Sequence, residues 1–184
     1  MLSRISRLLT ILPVFLLLFA ACDTGGRMDL RLFCEKYSET AESRARLEPE
    51  QFIARHREDG CKYEAYIAQT LLLALDTRQD GQVHSVSLTA LPEITQGEFR
   101  RAAIDIVITY CGGSEDAAER WLNRVYAGET EVLGYHTAEE NGFRLSYAAN
   151  AAGRYLRVSR LRDLPEEPPL PTLKEYIEEI SNEG

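Results

Sequence analysis

The chain has 184 residues, of which 45% are hydrophobic and 27% are charged, a balance typical of a globular protein. Its length corresponds to one domain, since a typical domain spans roughly 100–200 residues. The formal net charge of −8 argues against nucleic-acid binding, which depends on basic groups that neutralise phosphate. It also argues against a protein surface that adheres to anionic lipid, so any membrane attachment must come from the N-terminus.

The first 21 residues have the parts of an export signal. Arg4 and Arg7 make the start basic, and residues 8–19 then form an apolar run that only Thr10 and Pro13 interrupt. A membrane-spanning helix needs about 20 apolar residues. The run is shorter than that and is typical of the apolar region of a signal peptide.

Two alanines, Ala20 and Ala21, separate this run from Cys22. A bulky apolar residue, two small residues and a cysteine in this order resemble the lipobox of bacterial lipoproteins. The resemblance implies that residues 1–21 are removed and that a diacylglycerol is attached to Cys22. Phe19 departs from the leucine that is usual at its position. An ordinary cleaved signal and an uncleaved anchor are the alternatives.

A lipid on Cys22 would supply the membrane attachment, since one acyl chain binds reversibly and two or more hold stably. Residues 22–28 would form the lipidated cysteine and a short tether. Asp23 directly follows the cysteine and resembles the signal that retains enteric lipoproteins in the inner membrane. The outer membrane is the alternative in a lineage with a different rule. We therefore expect a lipid-anchored protein of the cell envelope that faces the periplasm.

Residues 29–164 are predicted to form a single α+β domain, in which helices pack on one face of an antiparallel sheet of about five strands. Asp29 is a plausible N-cap for a first helix over residues 30–47. Pro49 suits the first turn of a second helix, and Gly60 suits its end. Phe52, Ile53 and His56 would share one face of that second helix.

Residues 66–75 form an apolar run that could be a helix or a buried strand. A turn signal at residues 78–81 and a strand pattern over 83–88 predict a hairpin, and this favours a strand for the latter half of the run. A helix is predicted over residues 98–110. Ser114 then caps another helix, whose first turn is acidic.

Three further strands are predicted over residues 131–137, 143–149 and 155–161, which gives the order ααββααβββ. Their aromatic side chains would form core if helices cover that face of the sheet and a binding surface if they do not; core is the favoured interpretation. These side chains are Tyr135, Phe143, Tyr147 and Tyr155.

Residues 165–184 combine a proline-rich acidic linker with a C-terminal amphipathic helix. The apolar stripe of that helix consists of Leu173, Tyr176, Ile177 and Ile180. The helix could dock on its own domain, bind in the groove of a partner protein, or fray.

Three cysteines remain once Cys22 is assigned to lipid. If the first two helices run antiparallel, Cys34 lies 12 residues before the turn near residues 46–49 and Cys61 lies 12 residues after it. Each helical residue rises about 1.5 Å, so the two thiols would be level, and we predict a Cys34–Cys61 disulfide. Cys111 is expected to be a buried thiol, with an intermolecular bridge as the alternative.

No common catalytic or cofactor motif is present, such as Cys-x-x-Cys, His-Glu-x-x-His, Gly-x-Ser-x-Gly or a phosphate-binding glycine loop. His84 and His136 could meet across the sheet as a metal site with Glu139 or Glu140. Solvated histidines are the simpler interpretation. Residues 76–81 resemble a calcium loop only faintly and are better explained as a hairpin turn. We therefore assign no catalytic residue, metal or cofactor.

These features predict a lipid-anchored, non-enzymatic binding or accessory module for another envelope protein, without nucleic acid as a partner. Two alternatives stay open. One is an envelope enzyme whose site residues are not identified, and the other is a lipoprotein that binds a small solute.

Overall fold

The computed structural model describes residues 27–41, 46–126, 136–150 and 153–164. Within them lie three α-helices and seven β-strands, in the order αββββααβββ. The helices are α1 (Leu30–Thr40), α2 (Gln96–Cys111) and α3 (Glu115–Tyr126). The strands are β1 (Ile53–Arg57), β2 (Gly60–Ala68), β3 (Leu71–Arg78), β4 (Val83–Ala90), β5 (His136–Glu140), β6 (Phe143–Asn150) and β7 (Gly153–Arg160).

All seven strands belong to one antiparallel sheet in the order β1-β2-β3-β4-β7-β6-β5. The sheet consists of two meanders, β1 to β4 and β5 to β7, and each is preceded in the chain by helix. The meanders meet where their last strands pair, with Leu88 opposite Leu156 and Val86 opposite Val158. The predicted α+β class is confirmed, and the strand number is seven where about five were expected.

The three helices cover one face of this sheet. Helix α2 packs on the central strands β4 and β7, while α3 packs on β5 and β6 and α1 packs on α2. The Tyr110 hydroxyl of α2 donates to the Val83 carbonyl at 3.1 Å, and the Trp121 indole of α3 donates to the Ala138 carbonyl at 3.3 Å. The buried strand residues of this face alternate along the strands, and they include Leu71, Leu73, Leu75, Val86, Leu88, Leu145, Tyr147, Leu156 and Val158.

Local capping explains where the helices begin. The Asp29 carboxylate accepts from the Leu32 N–H at 2.8 Å, which confirms the predicted N-cap of α1. Thr95 and Glu98 form a reciprocal capping box at the start of α2. The Ser114 hydroxyl accepts from the Ala117 N–H at 3.3 Å at the start of α3, as predicted.

The predicted second helix is wrong. Pro49 opens only a short 3₁₀ turn, Pro49–Gln51, and the chain then forms the β1–β2 hairpin. The expected shared face does not exist, because Phe52 is buried whereas Ile53 is 66% exposed. Gly60 does not end a helix. It starts β2 with φ +157°, directly beside the Thr77 carbonyl of β3.

The run 66–75 is neither one helix nor one strand. It spans the turn between β2 and β3, where Ala68 pairs with Leu71. The strand predicted for its latter half is confirmed, as is the hairpin that joins β3 to β4. Together with β1, strand β2 supplies the two strands that the sequence interpretation missed.

The geometric basis of the Cys34–Cys61 disulfide is also wrong, because Cys61 lies in β2 and not in a helix that faces α1. In the structure, Cys34, Cys61 and Cys111 are free thiols. Cys34 lies on the buried side of α1 and belongs to the hydrophobic core. The two thiols were expected at the same height because the prediction assumed a second helix antiparallel to α1. The chain forms strands β1 and β2 there instead.

The last two predicted strands are confirmed as β6 and β7. The first was predicted over residues 131–137, of which 131–135 lie outside the described ranges and 136–137 begin β5 (His136–Glu140). Phe143 and Tyr147 are buried under the helices, as the core interpretation expects. Tyr155 alternates with the buried Leu156 and lies on the opposite face.

Several predictions concern residues outside the described ranges. They are the signal peptide with Cys22 and Asp23, the aromatic Tyr135, and the stripe formed by Leu173, Tyr176, Ile177 and Ile180. Within the described residues, no helix is long and apolar enough to cross a bilayer.

Gly153 at the start of β7 should tolerate no side chain. Its φ is +140°, and a Cβ would overlap the Ala90 carbonyl oxygen of β4. We expect Gly153→Ala to lower the free energy of unfolding by about 2 kcal/mol or more. Gly97 in α2 has open space around it, so Gly97→Ala should raise that free energy by about 0.5–1 kcal/mol. Urea unfolding measures both, and an unchanged midpoint for Gly153→Ala would contradict the β4–β7 contact.

The free thiols give a second prediction. Burial raises the pKa of Cys34 to about 12 and also raises that of Cys111, so both should resist Ellman's reagent at pH 8 in the folded chain. In a Cys22→Ser chain denatured without reductant, Cys34, Cys61 and Cys111 should all react. A Cys34–Cys61 peptide pair in a non-reduced digest would show instead that the disulfide forms.

Candidate functional site

The face of the sheet opposite the helices is polar. Its side chains alternate with the buried core positions and carry most of the charges of the central strands. We call this surface the open face, and its central members are Lys62, Glu64, Leu72, Ala74, Asp76, Ser85, Ser87, Thr89, Tyr155, Arg157 and Ser159. Because the three described helices all pack on the other face, the open face is the natural place to look for a binding site.

A cavity of about 360 Å³ lies in the middle of the open face. Leu72 and Ala74 of β3 form its floor. Arg57 of β1 lies on one side, and Tyr155 and Arg157 of β7 lie on the other. Its walls therefore come from both meanders, and its shape depends on the pairing of β4 with β7.

Asp76 is the electrostatic centre of this cavity. Its carboxylate accepts from the Ser85 hydroxyl at 3.1 Å and lies 3.5 Å from a guanidinium nitrogen of Arg57. Arg157 donates to the Ser85 oxygen at 3.0 Å and lies 3.7 Å from the Asp76 carboxylate. Two guanidinium groups thus share one carboxylate, and Asp59 is a second acidic residue in the lining of the same cavity.

A β-bulge brings His84 into the same region. Asp76 pairs with Ser85, but Thr77 pairs with Val83, so His84 is the additional residue of β4. Bulges of this kind redirect side chains and occur near functional sites. The His84 side chain lines the central cavity and two neighbouring cavities of about 260 and 500 Å³.

The three cavities adjoin one another, since His84 lines all of them, and we call their combined lining the arginine groove. Seven basic side chains line it: Arg27, Arg57, Lys62, Arg78, Arg157, Arg160 and Arg162. Four acidic side chains line it: Asp59, Asp76, Asp80 and Asp163. Six of the basic side chains are arginines, and Lys62 is ion-paired at 2.6 Å with Glu64, which lies beside the central cavity on the same face.

The pKa of His84 is lowered from its ordinary value, mainly because burial disfavours the charged ring. Arg157 and Arg78 lower the pKa further, whereas Asp76 and Asp163 oppose the shift. The ring is therefore mostly neutral at pH 7, and it does not add to the positive charge of the groove.

Asp76, His84 and Ser85 are the residue types of a hydrolytic triad, but their arrangement is different. The Ser85 hydroxyl donates to Asp76 directly and accepts from Arg157, and the serine is completely buried. A serine nucleophile needs a neighbouring base and access to its substrate. Here Ser85 orients Arg157 and Asp76, which suits binding more than catalysis.

The two histidines that were considered as an alternative metal site do not meet in the structure. Strands β7 and β6 separate His84 on β4 from β5. His136 on β5 pairs with the buried Tyr147 and so faces the helix side. The described ranges contain no group of three or more His, Cys, Asp or Glu side chains that could hold a metal ion. The turn interpretation of residues 76–81 is confirmed by the Gly81 N–H, which donates to the Arg78 carbonyl at 2.9 Å.

Sequence reasoning missed the arginine groove. The β3–β4 hairpin was predicted, and its register alone would have placed Asp76 near Ser85. The position of Arg157 could not be obtained in this way, because it depends on a pairing between strands that are 72 residues apart at the Arg157–Ser85 contact.

Comparison with known proteins does not assign the chain to a family. No protein-family model, no curated protein and no solved structure shows significant similarity to the chain.

The burial of His84 predicts a pH dependence of stability. Its folded pKa lies below the value of about 6.5 in an unfolded chain, so acid protonates the unfolded state first. The free energy of unfolding should therefore decline as the pH falls below about 6.5. The decline due to His84 should level off below the pKa of His84 in the folded chain. Urea unfolding between pH 5 and 8 (about 0.5 unit apart) should show that His84→Gln removes this component. His56→Gln, at an exposed position of β1, is the matched control. Identical profiles for wild type and His84→Gln would contradict the assignment.

Proposed function

We propose that this chain is a lipid-anchored lipoprotein of the bacterial cell envelope, and that its domain is a non-enzymatic binding module for another envelope protein. One observation carries the binding part of the proposal. The three helices that the structure describes lie on one face of a seven-stranded sheet, and the other face holds a charged cavity lined by both halves of the chain.

The anchor is supported by the sequence of the first 22 residues. Arg4 and Arg7, the apolar run and the Ala20-Ala21-Cys22 junction resemble a lipoprotein signal. Lipid on Cys22 would hold an acidic domain at a membrane surface that its own charge does not favour. Asp23 favours the inner membrane, with the periplasm as the compartment of the domain.

A binding role is preferred to an enzymatic one because of how the groove side chains are used. Asp76, Ser85 and Arg157 bond to one another, and this mutual pairing fixes the shape and charge of the surface. Fixed charges of this kind give an interface its specificity and its rate of association. The amphipathic stripe predicted over residues 173–180 would offer a second contact to the same partner.

A lipoprotein that binds a small solute is the second candidate. The central cavity of about 360 Å³ supports it, since pockets for small molecules start at roughly 300 Å³. Two features favour a protein partner instead: the charges extend over three neighbouring cavities, and the lining is dominated by charged side chains.

The anchor is tested by metabolic labelling with palmitate in a Gram-negative host. The wild-type chain should incorporate the label and sediment with membranes, whereas Cys22→Ser should do neither. Cys111→Ser is the matched control and should behave like the wild type. Label that persists in Cys22→Ser would exclude lipidation at that residue.

The binding role is tested by photo-crosslinking in intact cells. A photoreactive residue at Thr89, which is exposed on the open face, should give a discrete crosslinked envelope protein. The same residue at Arg120, which is exposed on α3, should not. The experiment is repeated without residues 165–184 to find the contribution of the predicted C-terminal helix. An absence of any Thr89-specific product in both forms would refute the docking function.

A further inference from the structure

We infer that the two cavities beside the β3–β4 hairpin bind the zwitterionic headgroup of a membrane phospholipid, in which a phosphate is joined through two carbon atoms to an ammonium group. These cavities, of about 260 and 500 Å³, are the part of the arginine groove that we call the hairpin end. The inference rests on the proposed lipid anchor and specifies how the anchored domain contacts the membrane. The central cavity is left to the protein partner.

The first argument is the position of the N-terminal tether. The described part of the chain begins at Arg27, which lines the smaller of the two cavities. The Met28 carbonyl accepts from the Val83 N–H at 2.7 Å, so the tether is held at the start of β4. Arg27 lies five residues after Cys22. Because an extended chain spans about 3.6 Å per residue, the hairpin end lies within about 18 Å of a lipidated Cys22.

The length of the strands excludes the opposite orientation. Strand β3 runs from the β2–β3 turn to the hairpin end and has eight residues, so these two ends of the sheet are about 25 Å apart. If the β2–β3 turn contacted the membrane, Arg27 would lie farther from the surface than the tether can reach. The hairpin end therefore faces the bilayer, and Thr89, near the other end of β4, lies away from it.

The second argument is that the hairpin end carries both signs of charge. Its charged lining consists of Arg27, Arg78, Arg160, Arg162, Asp59, Asp80 and Asp163. Arg160 is 6% exposed and has a partner of its own. The other three arginines equal the three aspartates in number. An anionic or a cationic ligand would be repelled by half of this lining, whereas a headgroup with one charge of each sign matches it.

Asp163 organises the basic part of the lining. Its carboxylate lies 2.7 Å from a guanidinium nitrogen of Arg78 and 4.0 Å from one of Arg162. The side chains of these arginines remain 52% and 67% exposed. A guanidinium group has five N–H donors, so each arginine can hold Asp163 and still donate to phosphate oxygens.

The third argument is a buried acceptor in the smaller cavity. The side-chain oxygen of Gln82, a residue of that lining, is buried and accepts no hydrogen bond within the described residues. Such acceptors are uncommon in folded proteins and call for a donor. Asp80 is in the same turn, where its carboxylate accepts from the Gln82 N–H at 3.0 Å. An ammonium group paired with Asp80 has three N–H donors, of which one can be donated to the Gln82 oxygen.

The orientation is tested with a photoreactive residue at Gln79 or at Gln69 in the lipidated mature chain, reconstituted in vesicles. Both glutamines are exposed residues of turns, Gln79 in the lining of the larger cavity and Gln69 at the opposite end of β3. The Gln79 chain should give a phospholipid adduct in mass spectrometry, and the matched Gln69 chain should not.

The headgroup chemistry is tested with the Gln79 chain in vesicles of equal parts phosphatidylethanolamine and phosphatidylcholine. The choline headgroup has the phosphate but no N–H donor. Asp80→Asn should therefore lower the ratio of ethanolamine to choline adducts roughly fivefold. Arg78→Gln should lower the yield of both adducts, because it removes a phosphate contact.

Arg120→Gln and Asp116→Asn change the same residue types at exposed positions of α3, and they should leave both the ratio and the yield unchanged. Comparison among these variants cancels the different intrinsic reactivities of the two lipids. Urea unfolding shows that each variant is folded.

Three results would overturn the inference. Equal lipid adducts at Gln79 and Gln69 would show that the hairpin end does not face the bilayer. A higher yield when anionic phosphatidylglycerol replaces phosphatidylethanolamine would show that the cavities select negative charge alone. A crosslink from Gln79 to residues 165–184, in place of lipid, would assign the cavities to the chain's own C-terminal segment.

Failure of the proposed function gives a different outcome. A chain that incorporates no palmitate would refute the anchor and, with it, this inference. A palmitate-labelled chain without a lipid adduct at Gln79 would overturn the headgroup contact while the anchor stands. The crosslink at Thr89 tests the protein partner independently of both.

Discussion

The antiparallel pairing of β4 with β7 is the contact on which the rest of the molecule depends. Val86, Leu88, Leu156 and Val158 lie in its register and are completely buried. Helix α2 packs directly on these two strands, and both other helices pack on α2 or on the outer strands. Without this pairing, the chain would consist of two separate meanders, each with a helical layer too small to bury its apolar side.

The same pairing builds the arginine groove on the other side of the sheet. Side chains alternate across a strand, so each buried core residue of β4 and β7 has a neighbour on the open face. Ser85 and Arg157 meet there because Leu88 and Leu156 meet on the helix side. The core and the groove therefore depend on the same strand register, and a shift of that register by one residue would destroy both. This explains how a site without any local sequence motif can be well defined in the fold.

The parts of the structure that could be predicted from the sequence are those with a local cause. The Asp29 cap, the turn at Gly81 and the alternation in β6 all involve residues only a few positions apart. The interpretation failed at residues 49–68, because Pro49 and Gly60 have the same preferences at the ends of a helix as at the ends of a hairpin. Neither the bulge at His84 nor the partners of Arg157 could be predicted, since both depend on strand register across the sheet.

Strand β1 is an edge of the sheet, and all five of its residues are exposed. An exposed edge has free backbone donors and acceptors, and it can pair with the edge of another molecule. Arg55 and Arg57 place positive charge on this edge, so two such edges brought together would repel each other. These arginines would also protect the chain from stacking edge to edge into aggregates. The positive charge of Arg57, which lines the central cavity, would thus also help to keep copies of the molecule apart.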